Sequence, residues 1–207
     1  MPKRSQSSRR WLDEHMNDPF VKQAKKEGLR SRAAFKLREI QEKHQLIKPG
    51  MWILELGAAP GGWTEDLARW VGEKGHVFAI DLLPMDPISN VTVLRGDIQE
   101  AAVFADLQAR IGPQGVDAIF SDMAPNISGL PSVDAARAAA LLIMAEDMAT
   151  HLLKTGGVFC TKAFHGQGFD AMLKTLRTKY AKVSVYKPKA SRARSKEVYL
   201  IAKDKRG

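Results

Sequence analysis

The stretch Met51-Trp52-Ile53-Leu54-Glu55-Leu56-Gly57-Ala58-Ala59-Pro60-Gly61-Gly62-Trp63 decides how this sequence is read. Its first six residues form a short, mostly apolar run of the kind that fills a strand buried on both faces. The glycines that follow let a backbone come close to a ligand. Thr64 to Val71 then has the pattern of a helix, whose first N–H groups are free to meet one. Strand, glycine loop and helix in this order open an α/β unit, and in open α/β sheets ligands bind beyond the carboxyl ends of the strands.

Outward from this unit the alternation continues. Strands are predicted at His76 to Ile80, Val91 to Leu94, Val116 to Phe120 and Gly157 to Phe164. Helices are predicted at Ile98 to Ile111, Val133 to Leu153 and Phe169 to Tyr180. This predicts an α/β fold with a mostly parallel sheet covered by helices on both faces. The last two strands, Val183 to Tyr186 and Val198 to Ala202, have no helix between them and are expected to pair antiparallel. Upstream, a helix is predicted from Ser31, as N-cap, to His44, with Ala34, Leu37, Ile40 and Gln41 in one stripe. Helical periodicity begins near Trp11, and positions 1–10 are basic and poor in apolar residues. The expectation is one domain over residues 1–207, with a flexible basic tail (1–10) and an N-terminal helical extension (11–48).

Composition narrows the class. With 44% hydrophobic and 27% charged residues the chain reads as globular, and no apolar run approaches the ~18 residues that cross a membrane. The N-terminus lacks the apolar core of a secretory signal, and the lone Cys160 forms no internal disulfide. A cytoplasmic monomer without metal is expected. Net charge is +9 but unevenly spread. Residues 1–48 carry 13 Lys/Arg against 6 Asp/Glu, residues 49–150 carry 5 against 14, and residues 151–207 carry 14 against 3. Basic ends around an acidic middle point to a polyphosphate partner such as RNA.

Two acids fall at predicted strand ends. Asp81, after the second strand, is placed to accept from ribose hydroxyls. Asp97 lies after the third, where an adenine edge falls, although Asp97 also reads as a helix N-cap. An adenosine is common to NAD and S-adenosylmethionine, so this much fits either.

Further along, Ser121-Asp122-Met123-Ala124-Pro125-Asn126 puts Asp122 at the ligand edge of the fourth strand. Lys162 sits inside the apolar run Gly157 to Phe164, where a lysine is rare without a partner. The pair reads either as a structural ion pair or as an active-site one. Lys36, in Arg30-Ser31-Arg32-Ala33-Ala34-Phe35-Lys36-Leu37, and Glu197, ahead of Val198-Tyr199, are unremarkable singly.

Taken in order, Lys36, Asp122, Lys162 and Glu197 resemble the Lys-Asp-Lys-Glu tetrad of the FtsJ/RrmJ (RlmE) family of ribose 2′-O-methyltransferases. The segments SRRWLDEH, GLRSRAAFKL, LGAAPGGW, DLLPMDPI, SDMAPNISG and SRARSKEVY carry the likeness from about Ser8 to Ala202. The resemblance implies a Rossmann-like class I methyltransferase fold and S-adenosylmethionine as cofactor. It implies a uridine of the A-loop of 23S ribosomal RNA, in the large subunit, as substrate. Transfer RNA, or a non-catalytic role in large-subunit assembly, are the competing readings.

By the same likeness Lys162 is the general base, Asp122 positions it and the methyl donor, and Lys36 and Glu197 support it. A lysine accepts a proton only when neutral. Burial and Lys36 favour that form, whereas Asp122 and Glu197 oppose it. Gly61 and Trp63 are expected at the methionine end of the cofactor, Asp81 at the ribose, Asp97 and Ile98 at the adenine, and Asp122 near the sulfonium. Arg30, Arg32, Arg192, Arg194 and Lys196, which flank tetrad residues, are expected to hold RNA phosphates.

Overall fold

A computed structural model describes residues 17–192 and 194–207. The helix expected near Trp11, the tail and the SRRWLDEH segment therefore lie outside the described residues. Seven strands form one sheet: β1 (Trp52–Leu56), β2 (His76–Asp81), β3 (Val91–Arg95), β4 (Val116–Ser121), β5 (Leu153–Phe164), β6 (Tyr180–Tyr186) and β7 (Glu197–Lys205). Among the described residues six further elements are helices: α1 (Pro19–Lys26), α2 (Ala33–His44), α3 (Thr64–Val71), α4 (Ala101–Ile111), α5 (Pro131–Leu152) and α6 (Phe169–Lys179).

The strand order is β3-β2-β1-β4-β5-β7-β6. The first five are parallel, and β7 slots antiparallel between β5 and β6, as the missing helix between the last two strands predicts. The chain leaves β1 in one direction along the sheet and β4 continues in the other, so a crevice opens beyond the ends of β1 and β4. Because β7 runs backwards, its first residue lies at that same edge. Phe164 at the end of β5 pairs with Glu197, and Lys162 pairs with Tyr199.

Strict alternation along the strands divides the core in two. Leu54, Leu56, Phe78, Ile80, Ile119 and Phe159 pack under α4, α5 and α6. Ile53, Val77, Phe120, Tyr199 and Ile201 pack with α2, α3 and Trp63 on the opposite face. Burial on both faces explains why β1 reads as a continuous apolar run rather than an alternating one.

Two helix starts differ from expectation. Ser31 Oγ accepts from the Ala33 N–H in a local turn, while α2 begins at Ala33 behind a helical Arg32 that provides no side-chain cap. Asp97 likewise turns the chain, accepting from Gln99 N–H through Oδ1 and from Glu100 N–H through its carbonyl. This delays α4 to Ala101. In both cases a short polar side chain satisfied by the next two residues competes with helix initiation.

Candidate active site

The crevice at the β1/β4 switch holds a cavity of about 410 Å³, lined among others by Leu56, Gly57, Asp81, Asp97, Ile98 and Asp122. Gly57 is required here. Its φ is +76°, and a Cβ would meet the Met123 side chain at 2.7 Å. Asp81 is fixed by its own backbone surroundings: Oδ2 accepts from Ala59 N–H at 2.9 Å and Oδ1 from Leu83 N–H at 2.8 Å. Its carboxylate therefore arrives at the cavity wall already oriented.

Four expected cofactor residues, Asp81, Asp97, Ile98 and Asp122, thus share this wall. Gly61 and Trp63 do not. The Trp63 indole is 2% exposed, donates to the Ala33 carbonyl at 2.7 Å and packs on Tyr199, so only its backbone is left for a ligand. The space where a Gly61 Cβ would sit is filled by Arg30 and Met85, each 3.0 Å away.

Around Asp122, which lines the cavity, four sequence-distant side chains converge. Lys162 Nζ donates to the Asp122 carbonyl at 2.7 Å and lies 2.9 Å from Asp122 Oδ1. Glu197 Oε2 is 3.9 Å from the same nitrogen, and Glu197 Oε1 meets Lys36 Nζ at 2.7 Å. Tyr199 OH donates to Asp122 Oδ1 at 2.5 Å, and Lys36 lies 6.0 Å above the Tyr199 ring. All four tetrad side chains are at most 16% exposed. Burial alone raises the Asp122 carboxyl. Lys162, Lys36 and the hydrogen bonds from Tyr199 and Lys162 outweigh it and hold Asp122 below the usual 3.8, ionised at neutral pH. Tyr199 is driven far up by burial and by Asp122 and Glu197, so it remains a phenol that donates.

Glu55 was not among the expected site residues. It is 1% exposed, accepts from Thr64 Oγ1 at 2.6 Å, and is pushed from 4.5 up to about 8 by burial and, to a smaller extent, by Asp122 and Asp81. At pH 7 it is a neutral acid enclosed in the fold. The signal was present in the sequence as the single carboxylate inside the apolar run Trp52–Leu56.

The expected phosphate ligands divide. Arg32 donates to Asp18 and to the Ala190 carbonyl and stacks over Phe20 at 5.6 Å, with 16% of its side chain exposed. Its charge is met inside the fold by Asp18 and the Ala190 carbonyl. Arg30 is bonded to Glu65, Pro60 and Asp86, bracing the glycine loop. Arg192, with 30% of its side chain exposed, stands 3.6 Å from Asp18, while Arg194 and Lys196 are exposed on the linker. Among the described residues no group of three or more His, Cys, Asp or Glu is placed to hold a metal, and no helix is long and apolar enough to cross a membrane.

With this geometry in place, comparison with known proteins is informative. The profile of FtsJ-like methyltransferases matches residues 29–205. The chain belongs to the FtsJ-like methyltransferase family. It is 50% identical over 206 residues to the ribosomal RNA large subunit methyltransferase E of Stenotrophomonas maltophilia, covering 100% of this chain and 98% of that one. It is 52% identical over 200 residues to the protein of the same name from Marinobacter nauticus, with 97% of each covered. A crystal structure described as a ribosomal RNA methyltransferase from Plasmodium falciparum superposes with a TM-score of 0.77 at 28% identity, over 86% of this chain and 99% of that one. Fibrillarin from Aeropyrum pernix, solved with bound S-adenosylmethionine, shares the Rossmann-like fold at a TM-score of 0.58 and 17% identity, over 82% of this chain and 75% of that one.

Proposed function

We propose that this chain transfers a methyl group from S-adenosylmethionine to the ribose 2′-hydroxyl of a uridine in the A-loop of 23S ribosomal RNA, within the large subunit. The observation that carries the reading is Lys162 Nζ, held by Asp122, which lines a cavity whose acids suit an adenosine. The names of the half-identical relatives support the RNA class.

The residues present fit the cofactor. Asp81 offers a fixed carboxylate for the ribose hydroxyls, and Asp97 with Ile98 offers a polar and an apolar wall for the adenine. The ionised Asp122 on the same wall would suit a cationic sulfur. When bound there, S-adenosylmethionine supplies a methyl already activated on sulfonium.

What remains is to align the acceptor oxygen and take its proton. An amine nitrogen has four directions. One is its carbon; Asp122 occupies two more, through its carbonyl and Oδ1, and these can be served by the two N–H groups of a neutral amine. The fourth is the lone pair, free to accept the 2′-hydroxyl proton because Glu197 at 3.9 Å is beyond hydrogen-bond reach. Lys36 pairs with Glu197 through Oε1 and so holds that carboxylate on the far side from Lys162. Cations of the linker between β6 and β7, the exposed Arg194 and Lys196 and the half-buried Arg192, hold phosphates beside the tetrad.

The test is a map of 2′-O-methylation in 23S ribosomal RNA from cells with and without the gene, and with a Lys162→Met copy. One uridine methylation in the A-loop is expected to vanish without the gene and to stay absent with the variant. An unchanged map refutes the target.

A further inference from the structure

Helix α2 reaches Glu197 by two routes. Lys36 Nζ meets Glu197 Oε1 directly at 2.7 Å. One turn further on, the Glu39 carboxylate accepts the backbone N–H groups of Lys189 at 3.0 Å and Ala190 at 2.9 Å, gripping the linker between β6 and β7. Arg32, at the start of the same helix, donates to the Ala190 carbonyl and to Asp18. The residue that follows this clamped peptide is Ser191. Its side chain is enclosed, the residue being 6% exposed, and its Oγ donates to the same Glu197 Oε1 at 2.7 Å.

Both donors fall on one oxygen. With Oε1 saturated by Lys36 and Ser191, the carboxylate plane is set and Oε2 stays 3.9 Å from Lys162 Nζ. About 1 Å of movement would bring Oε2 into bonding range of Lys162. It would then occupy the direction that the 2′-hydroxyl must use, and hold the lysine's proton in place. We propose that Ser191 is a positioning residue for methyl transfer: its hydroxyl pins Glu197 so that the approach to Lys162 stays open. The inference rests on the function proposed above. It also ties the phosphate-holding linker to the tetrad, since the peptide that presents Arg192 is the one that presents Ser191.

The charged or titratable groups facing Lys162 are Asp122 after β4, Glu197 and Tyr199 on β7, and Lys36 on α2. Loss of the Ser191 hydroxyl changes the hold on only one of them. The test uses the full-length chain with labelled S-adenosylmethionine and large subunits lacking the modification, comparing wild type, Ser191→Ala, Glu197→Gln and the double variant. Ser191→Ala is expected to lower kcat about tenfold, the rate equivalent of one lost hydrogen bond, with KM for both substrates within about twofold. The acid limb of its pH–rate profile is expected to move to higher pH. In the Glu197→Gln background the same substitution is expected to change kcat less than about twofold, because its effect runs through Glu197.

An equal loss in both backgrounds, an unmoved acid limb, or a raised KM for the subunit at unchanged kcat would each assign Ser191 to linker shape alone and overturn the proposal. Thermal unfolding of each variant keeps these rates to folded protein. Failure of wild type to transfer any methyl overturns the functional reading instead, and is told apart because it appears without substitution.

Discussion

Glu55 gives this protein a pH-dependent stability that can be isolated with one substitution. Its carboxyl lies at about 8 in the fold, against 4.5 ordinarily, because burial disfavours the anion and Asp122 and Asp81 add to the effect; Thr64 offsets only part. Below pH 4.5 folded and unfolded chains both hold the proton. Between 4.5 and about 8 the unfolded chain has lost it while the fold keeps it, so stability falls as pH rises, by ~1.4 kcal/mol per pH unit. From pH 6 to pH 8 this amounts to about 2 to 3 kcal/mol. Gln is close in shape to the neutral acid, its amide oxygen can accept from Thr64 Oγ1, and it does not titrate. For a chain of this size ~1 kcal/mol corresponds to about 2 to 4 °C in Tm. The Tm of Glu55→Gln relative to wild type is therefore expected to improve by about 5 to 10 °C between pH 6 and pH 8. Calorimetric or circular-dichroism melts of both proteins at half-unit steps measure it directly. Parallel Tm curves for the two would mean that Glu55 is ionised in the fold, and would refute the reasoning.

Three other outcomes are expected. Lys162→Met should reduce methyl transfer about 10³-fold, the scale of a lost general base, while cofactor affinity measured by calorimetry stays within about threefold; retention of most activity would remove Lys162 from the chemistry. Arg32→Ala should lower Tm by about 6 to 12 °C, the consequence of ~3 kcal/mol for breaking a mostly buried ion pair with Asp18, yet leave the salt dependence of RNA binding unchanged. A reduced salt slope at wild-type Tm would return Arg32 to the RNA surface. Lys196→Gln, on the exposed linker, should leave Tm within about 1 °C and lower the slope of log affinity against log salt by about one; an unaltered slope would show that no phosphate is held there.

The strand–glycine–helix unit was legible in the sequence because burial on both faces leaves an uninterrupted apolar run, and because only glycine tolerates the backbone and the close contact found at position 57. The placement of Asp81 and Asp97 followed from topology alone, since strand ends in a parallel sheet share one edge. The tetrad was legible only as a set. Its members come from α2, β5, β7 and the loop after β4, and no local pattern announces that β7 inverts to bring Glu197 beside Phe164. Two helix starts differ for a physical reason: Ser31 and Asp97 look like helix caps, but each is satisfied in a tight turn before its helix begins. The Trp63 indole donates to the Ala33 carbonyl and packs on Phe120 and Tyr199, which leaves its backbone as the part that can meet a ligand. Glu55 carries no local signal beyond being an acid inside a strand, and only its burial in the fold sets it apart.

Many of the cations that make the C-terminal segment basic are engaged within the fold. Of the cations after residue 150, Lys154 is paired with Asp117, Lys179 with Glu146, and Lys162 with Asp122. Lys205 donates to the carbonyls of Ala149, Thr150 and Leu153, and Arg206 to those of Arg177 and Thr178, closing the C-terminal ends of α5 and α6. Lys203 donates to the His44 carbonyl at the end of α2. These charges are set against backbone oxygens and carboxylates and contribute first to the fold. The linker differs. Its backbone is fixed by Glu39 and Arg32, whereas Lys189 and Lys196 extend from it into solvent. A rigid backbone carrying exposed cations loses little freedom on binding a phosphate. The same backbone carries Ser191 to Glu197, so on the function proposed above one segment would both hold phosphates and set the geometry around Lys162.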